Sequence, residues 1–169
     1  MEFTKLIQER YSVRAYKPDP VEDEKLAEIL EAARLAPTAA NRQAFQIIVV
    51  HTEGRKEELR RIYNRDWFVQ APIILVACGL PSKAWTRKDN ENYGVVDVAI
   101  VMDHIVLASA NLGLGTCWIA AFYADATREI LNLPEGVDPI VMTPLGYPND
   151  APKPKIRKSL DELVRYERW

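Results

Sequence analysis

The sequence predicts a sheet layered with helices, and three observations carry that reading. Short β-branched runs alternate with segments of helical periodicity. One of the helical segments, residues 93–112, is far longer than the others. The chain of 169 residues, 48% apolar and 27% charged, is sized for one core. No linker, internal repeat or low-complexity tract divides it, so residues 1–169 read as a single domain.

Residues 22–36 place Leu26, Ile29, Leu30 and Ala33 at helical spacing, with Glu22, Asp23 and Glu24 in the first turn, where the helix dipole favours negative charge. Pro37 stops that helix. The runs 45–50 (FQIIVV) and 73–77 (IILVA) read as buried strands. Between them, residues 55–63 read as a charged helix with Leu59, Ile62 and Tyr63 on one face. Residues 116–120 and 140–143 supply two further strands, and Ser159-Leu160-Asp161-Glu162 fits a capping box opening a short last helix.

The long segment (YGVVDVAIVMDHIVLASANL) is apolar on nearly every face, and Gly113 stands where a helix C-cap belongs. Asp97, Asp103 and His104 interrupt it, which argues against a membrane span. A helix apolar all round must be buried all round. In one small domain that means a central helix or a helix shared with a second subunit; so small a chain has little other material to cover it, which favours a homodimer.

Composition excludes several function classes. A net charge of −2 gives no electrostatic reason to bind nucleic acid or an anionic membrane. The first residues, MEFTKLIQERYSVR, carry no apolar targeting region, and Cys78 and Cys117 lie in apolar runs without a C-x-x-C, so free thiols in a reducing cytoplasm are expected. Neither His51 nor His104 has a partner at metal-ligand spacing, so no metal site is expected. There is no G-x-S-x-G and no phosphate-binding G-x-x-x-x-G-K-[ST]. Gly113-Leu114-Gly115 follows a helix and precedes a strand, the reverse of a dinucleotide-binding turn.

Two basic clusters remain. Arg10, Ser12 and Arg14 alternate near one end of the chain, and Lys153, Lys155 and Arg157 near the other. In extended backbone, alternation aims side chains to one face, so each cluster offers convergent donors suited to a phosphate monoester. Pro152 and Pro154 stiffen the second cluster. Two solvated basic stretches are the alternative. The segment 36–43 adds Thr38, Asn41 and Gln43, which offer donors and acceptors to the edge of a planar heterocycle or simply build a local turn.

These residues resemble a known family. Arg10-Tyr11-Ser12-Val13-Arg14 is similar to the N-terminal signature of the nitroreductase family of FMN-dependent oxidoreductases, as is the 36–43 loop. Residues 113–122 (GLGTCWIAAF) resemble that family's strand beside the isoalloxazine, and Pro144-Leu145-Gly146-Tyr147-Pro148 with the Lys155/Arg157 tail resembles its C-terminal pattern. The matches fall in family order over nearly the whole chain. Three positions depart from the pattern. Gln43 is followed by Ala44-Phe45 rather than Pro-Trp, Ala121 stands where glycine is usual, and Tyr11 where a second arginine is frequent.

The resemblance implies an α+β fold with a mostly antiparallel central sheet flanked by helices, in an intertwined homodimer with FMN sites at the subunit interface. It implies Arg10, Ser12 and Arg157, helped by Lys155, at the FMN phosphate. Arg14 and Asn41 would lie closer to the ring, with Tyr11, Pro37, Thr38 and Gln43 lining the same pocket. Ile119, Ala120 and Ala121 would pass the flavin, the Ala120 N–H near N5, and Asn64 would reach the pyrimidine edge. Trp85 and Tyr93, flanking a short polar segment, would shape the substrate pocket as part of a cap; a solvated connector is the alternative. The activity implied is hydride transfer from NADH or NADPH through flavin N5 to an electron-poor small molecule such as a nitroaromatic or quinone, in ping-pong order. The flavin carries the chemistry and no side chain acts as nucleophile. The alternatives are a flavin carrier or sensor without turnover, and a same-fold enzyme that dehalogenates or breaks down its flavin.

Overall fold

A computed structural model describes residues 2–169. Helices α1 (Phe3–Glu9) and α2 (Asp23–Arg34) precede strand β1 (Phe45–His51), and the short α3 (Lys56–Arg60) and α4 (Asp66–Gln70) lead to β2 (Ile73–Gly79). The long helix α5 (Gly94–Asn111) runs into β3 (Gly115–Thr116); α6 (Ala124–Leu131), β4 (Asp138–Gly146) and α7 (Leu160–Leu163) complete the order. The strands lie side by side as β1-β2-β4-β3, each neighbouring pair antiparallel. The fold is α+β, a central antiparallel sheet between helices.

Strand β2 is buried along its whole length, which is why it reads as an unbroken apolar run rather than an alternation. Ile73, Leu75 and Ala77 face α5 and α2, while Ile74, Val76 and Cys78 face Leu59, Ile62 and Phe68 across the other side of the sheet. Helix α5 presents Val98, Val101, Met102 and Ile105, all fully buried, to Ile29 and Ala33 of α2 and to the sheet. Its far side is not covered in the single chain, Val96 being 46% exposed, and Val95 in the first turn is 57% exposed. The expectation of burial all round therefore fails within one chain. By length and apolarity alone α5 could cross a membrane, but its covered face belongs to this core.

Other differences from the sequence reading have local causes. The helix expected over 55–63 ends at Arg60, because the Arg61 and Ile62 N–H groups bond three residues back, to Glu58 and Leu59, and the turn tightens. The strand expected over 116–120 shrinks to β3 because the Cys117 N–H donates to Thr143 Oγ1 (2.9 Å) instead of a backbone carbonyl; pairing resumes only between Ile119 and Met142. Helix α1 has no strong apolar stripe, only Leu6 being buried, and starts where the Glu2 carboxylate accepts from the Thr4 and Lys5 N–H groups. The capping box of Ser159 and Glu162 forms as expected, on a helix of four residues. All of residues 151–169 are exposed. Both cysteines are buried and free.

Candidate functional site

The first cationic cluster is fixed by what lies beneath it. After α1 the chain runs along the sheet edge, where the Val13 N–H donates to the Thr116 carbonyl (2.9 Å). Val13 is buried, so its neighbours Ser12 and Arg14 point the other way. Gly113 leaves α5 in the left-handed region (φ +77°), and at Gly115 a Cβ would stand 2.6 Å from Val13 Cγ2. The two glycines that superficially suggest a dinucleotide turn instead let the N-terminal segment lie flat on β3.

The returning chain meets this segment from the other side. The Lys17 N–H donates to Tyr147 O (2.9 Å) and the Asn149 N–H to Ala15 O (2.8 Å). Beyond these bonds the tail turns back and closes a cleft of about 460 Å³, in which Arg10, Arg14, Lys153, Lys155 and Arg157 surround one carboxylate, Asp150. The two clusters seen in sequence are one site.

That cleft carries an excess of positive charge. Arg10 is half-buried and neither it nor Lys153 makes an ion pair or side-chain hydrogen bond among the described residues. Arg157 reaches only its neighbour's carbonyl, Ile156 O, at 2.8 Å. The Arg14 guanidinium sits 6.0 Å from the centroid of the Trp67 ring. Lys155 is partly spent: its ammonium donates to Ile7 O (3.2 Å) and Gln8 O, capping the C-terminal end of α1. Desolvation, then Arg10 and Arg157, holds its pKa below the usual lysine value. Asp150 is itself occupied by Tyr11 and the Arg14 N–H. Five cations against one engaged carboxylate suit a phosphate dianion, so the residues present fit the phosphate of the cofactor implied above.

The 36–43 loop is a separate, pre-shaped structure. Ala40, Asn41 and Gln43 all lie at positive φ (50°, 53° and 50°), a cluster of backbone strain that only a well-held loop retains. The Gln43 N–H donates to Thr38 Oγ1 (3.0 Å), Gln43 Nε2 to Asn41 Oδ1 (3.1 Å), and the Ala39 N–H to Asp97 Oδ1 (2.8 Å). Asn41, Gln43 and Pro37 are exposed. Asp97 is 1% exposed and its other oxygen has no partner. This anchor places the loop at the first turns of α5, whereas Arg10 shares clefts with Val106 and Ala110, about 14–20 Å farther along that helix. None of Thr38, Asn41 or Gln43 lines the cationic cleft.

The remaining expected residues divide between the two regions. Asn64 is exposed in the turn between α3 and α4, three residues from Trp67 and so on the Arg14 side. Ile119 turns its side chain into the core and exchanges both backbone bonds with Met142, so the next N–H, that of Ala120, points away from β4. Ala120 and Ala121 are exposed. Trp85 and Tyr93 stack edge to face (5.3 Å) at the base of a small hairpin whose Arg87 holds Asp89 and the Tyr93 hydroxyl. This hairpin leads straight into α5, at the loop's end and away from the cations. Among the described residues no His, Cys, Asp and Glu group could hold a metal.

Sequence reasoning missed Asp150, Asp97, Trp67 and Trp118. Trp118 is 44% exposed and shares a second cleft with Arg10 and Ser12. A lone acid opening an apolar helix was the available signal for Asp97; Asp150, in a Pro-rich turn, offered none.

Comparison with known proteins joins these features. The nitroreductase family model matches residues 7–65 and 57–147. A nitroreductase family protein of Clostridium difficile 630 superposes with a TM-score of 0.90 at 36% identity, over 100% of both chains. An FMN reductase (NAD(P)H) of Bacillus subtilis is 29% identical, covering 92% of this chain and 70% of its own length. An NADPH-dependent oxidoreductase of Staphylococcus aureus is 26% identical, covering 89% and 68%. With the N-terminal cationic segment, the strained loop and residues 113–122 all inside the matched range, this chain belongs to the nitroreductase family.

Proposed function

We propose that the protein is an NAD(P)H-dependent FMN oxidoreductase that reduces electron-poor small molecules such as nitroaromatics or quinones in ping-pong order. The observation that carries the reading is the cleft in which Arg10 and Arg157, from opposite ends of the chain, stand together without an ion-pair partner among the described residues. When bound, FMN supplies the redox chemistry, accepting hydride from a nicotinamide and passing it on. Arg10, Ser12, Lys153 and Arg157 hold the phosphate. Arg14 offers positive charge to the ring, and the exposed Ala120 N–H offers a donor on the same side.

The loop carrying Pro37, Thr38, Asn41 and Gln43 belongs to the site of a second copy in a homodimer. Its distance from the cations and the open apolar face of α5 support this arrangement. Trp85 and Tyr93, beside that loop, shape the acceptor pocket. Two buried free thiols and a weakly acidic charge balance favour a cytoplasmic enzyme without nucleic-acid or membrane partners.

The test is direct. The purified protein should show a flavin spectrum that bleaches when NADH or NADPH is added without oxygen and returns on adding a nitroaromatic or quinone. Bound flavin that no nicotinamide reduces would replace the enzyme with a carrier, and protein that takes up no FMN would end the reading.

A further inference from the structure

Asp150 is a carboxylate in a cleft whose other charged residues are all cations. Coulomb's law alone makes it an odd neighbour for a phosphate, since like charges repel. Its contacts explain its presence. The Tyr11 hydroxyl donates to Asp150 O (2.8 Å) and Oδ1 (3.1 Å), and the Arg14 N–H donates to Oδ2 (2.8 Å). One residue at the start of the tail thus grips both sides of Ser12, and 136 residues separate it from Arg14. The other links between the two segments, at Tyr147 and Asn149, lie farther from the cations. Beyond Asp150 the tail holds to the body through Lys155 alone among the cleft cations. Burial, then the bond to Asp150, raises the Tyr11 phenol to about 12, as expected where the contact persists.

We propose that Asp150 is a positioning residue that sets the spacing between the N-terminal and C-terminal cations and thereby the affinity for the cofactor phosphate. The proposal rests on the FMN reading above and adds to it a residue that touches no ligand. It makes an unusual demand on sign: removing a negative charge from an anion site should weaken binding. Asp150→Asn separates charge from geometry, because the amide oxygen can accept the Arg14 N–H while the amide NH₂ donates to the Tyr11 oxygen.

The experiment titrates apo-protein with FMN and, in parallel, with riboflavin, which has the ring but no phosphate. Circular dichroism and melting temperature confirm folding of each variant. Asp150→Ala should raise the Kd for FMN about tenfold and leave that for riboflavin unchanged, the equivalent of one charge-assisted hydrogen bond. Asp150→Asn should bind FMN as well as wild type or better, and Tyr11→Phe should fall between. If Asp150→Ala unfolds, Asp150→Asn and Tyr11→Phe decide the matter. FMN affinity unchanged or improved in Asp150→Ala, an equal loss for riboflavin, or an Asp150→Asn loss as large as that of Asp150→Ala would each overturn the proposal. A wild-type chain that binds neither flavin would overturn the FMN reading and the proposal with it.

Discussion

The cationic cleft and the strained loop lie towards opposite ends of α5, and they are finished to different degrees. The cleft is assembled by one chain: β3 supports Val13, the returning strand pairs with residues 15–17, and Asp150 ties the ends. The loop is shaped by the chain but left open on its polar side. Its side chains bond one another, its backbone anchor is Asp97, and the Asn41 and Gln43 side chains lie exposed. In the homodimer proposed above a second copy would bring the two together, one polypeptide specifying the cleft and such an assembly adding the loop.

The two regions fail together when the helix that runs between them is damaged. Ile105, fully buried on that helix, should cost about 2–5 kcal/mol when replaced by Ala, and urea denaturation should show both regions lost in one transition. A separate folding unit at either end would appear as two transitions. Arg10→Ala acts on the cleft alone: FMN affinity should fall by about 1.5–3 kcal/mol in a flavin titration, with the melting temperature of the apo-protein unchanged. Unchanged affinity would move the phosphate elsewhere.

Smaller changes sharpen the contrast. Ala40→Gly removes the steric penalty at φ 50° while adding disorder to the unfolded chain, so thermal stability should rise by about 0.5–1 kcal/mol. A loss would mean that the loop is held by contacts of the Ala40 methyl rather than against strain. The smallest effect belongs to a clamp outside both regions. The Tyr147 hydroxyl donates to Glu22 (2.7 Å), with Lys25 at 3.1 Å, and these bonds lower the Glu22 carboxyl from 4.5 to about 2. A depressed carboxyl stabilises the fold above its ordinary pKa, so this contribution should be complete above pH 4.5 and fade towards pH 2. Tyr147→Phe should flatten that part of the stability–pH curve.

The sequence made the sheet and its long helix legible because their burial is nearly one-dimensional. β2 is apolar at every position, and α2 repeats Ile29 and Ala33 at helical spacing. The cations were legible because Arg10, Arg14, Lys155 and Arg157 stand in short alternating runs. What escaped were bonds made at long range by single polar atoms. Thr143 Oγ1 intercepts Cys117 and shortens a strand; Asp97 pins Ala39 across 58 residues; Asp150 holds Tyr11 across 139. No local pattern encodes such partners. The glycines of 113–115 show the converse, since a familiar spacing there serves backbone contact with Val13 rather than a nucleotide.

The sulfur atoms hold a practical consequence. Cys78 is wholly enclosed, its thiol pushed up to about 11 by burial, and Cys117, 3% exposed, is shifted the same way for the same reason. Protonated, shielded sulfur reacts slowly with peroxide and alkylating reagents. An oxidoreductase built this way keeps its own thiols out of the circuit, and should survive storage without added reductant and ignore iodoacetamide until it is denatured.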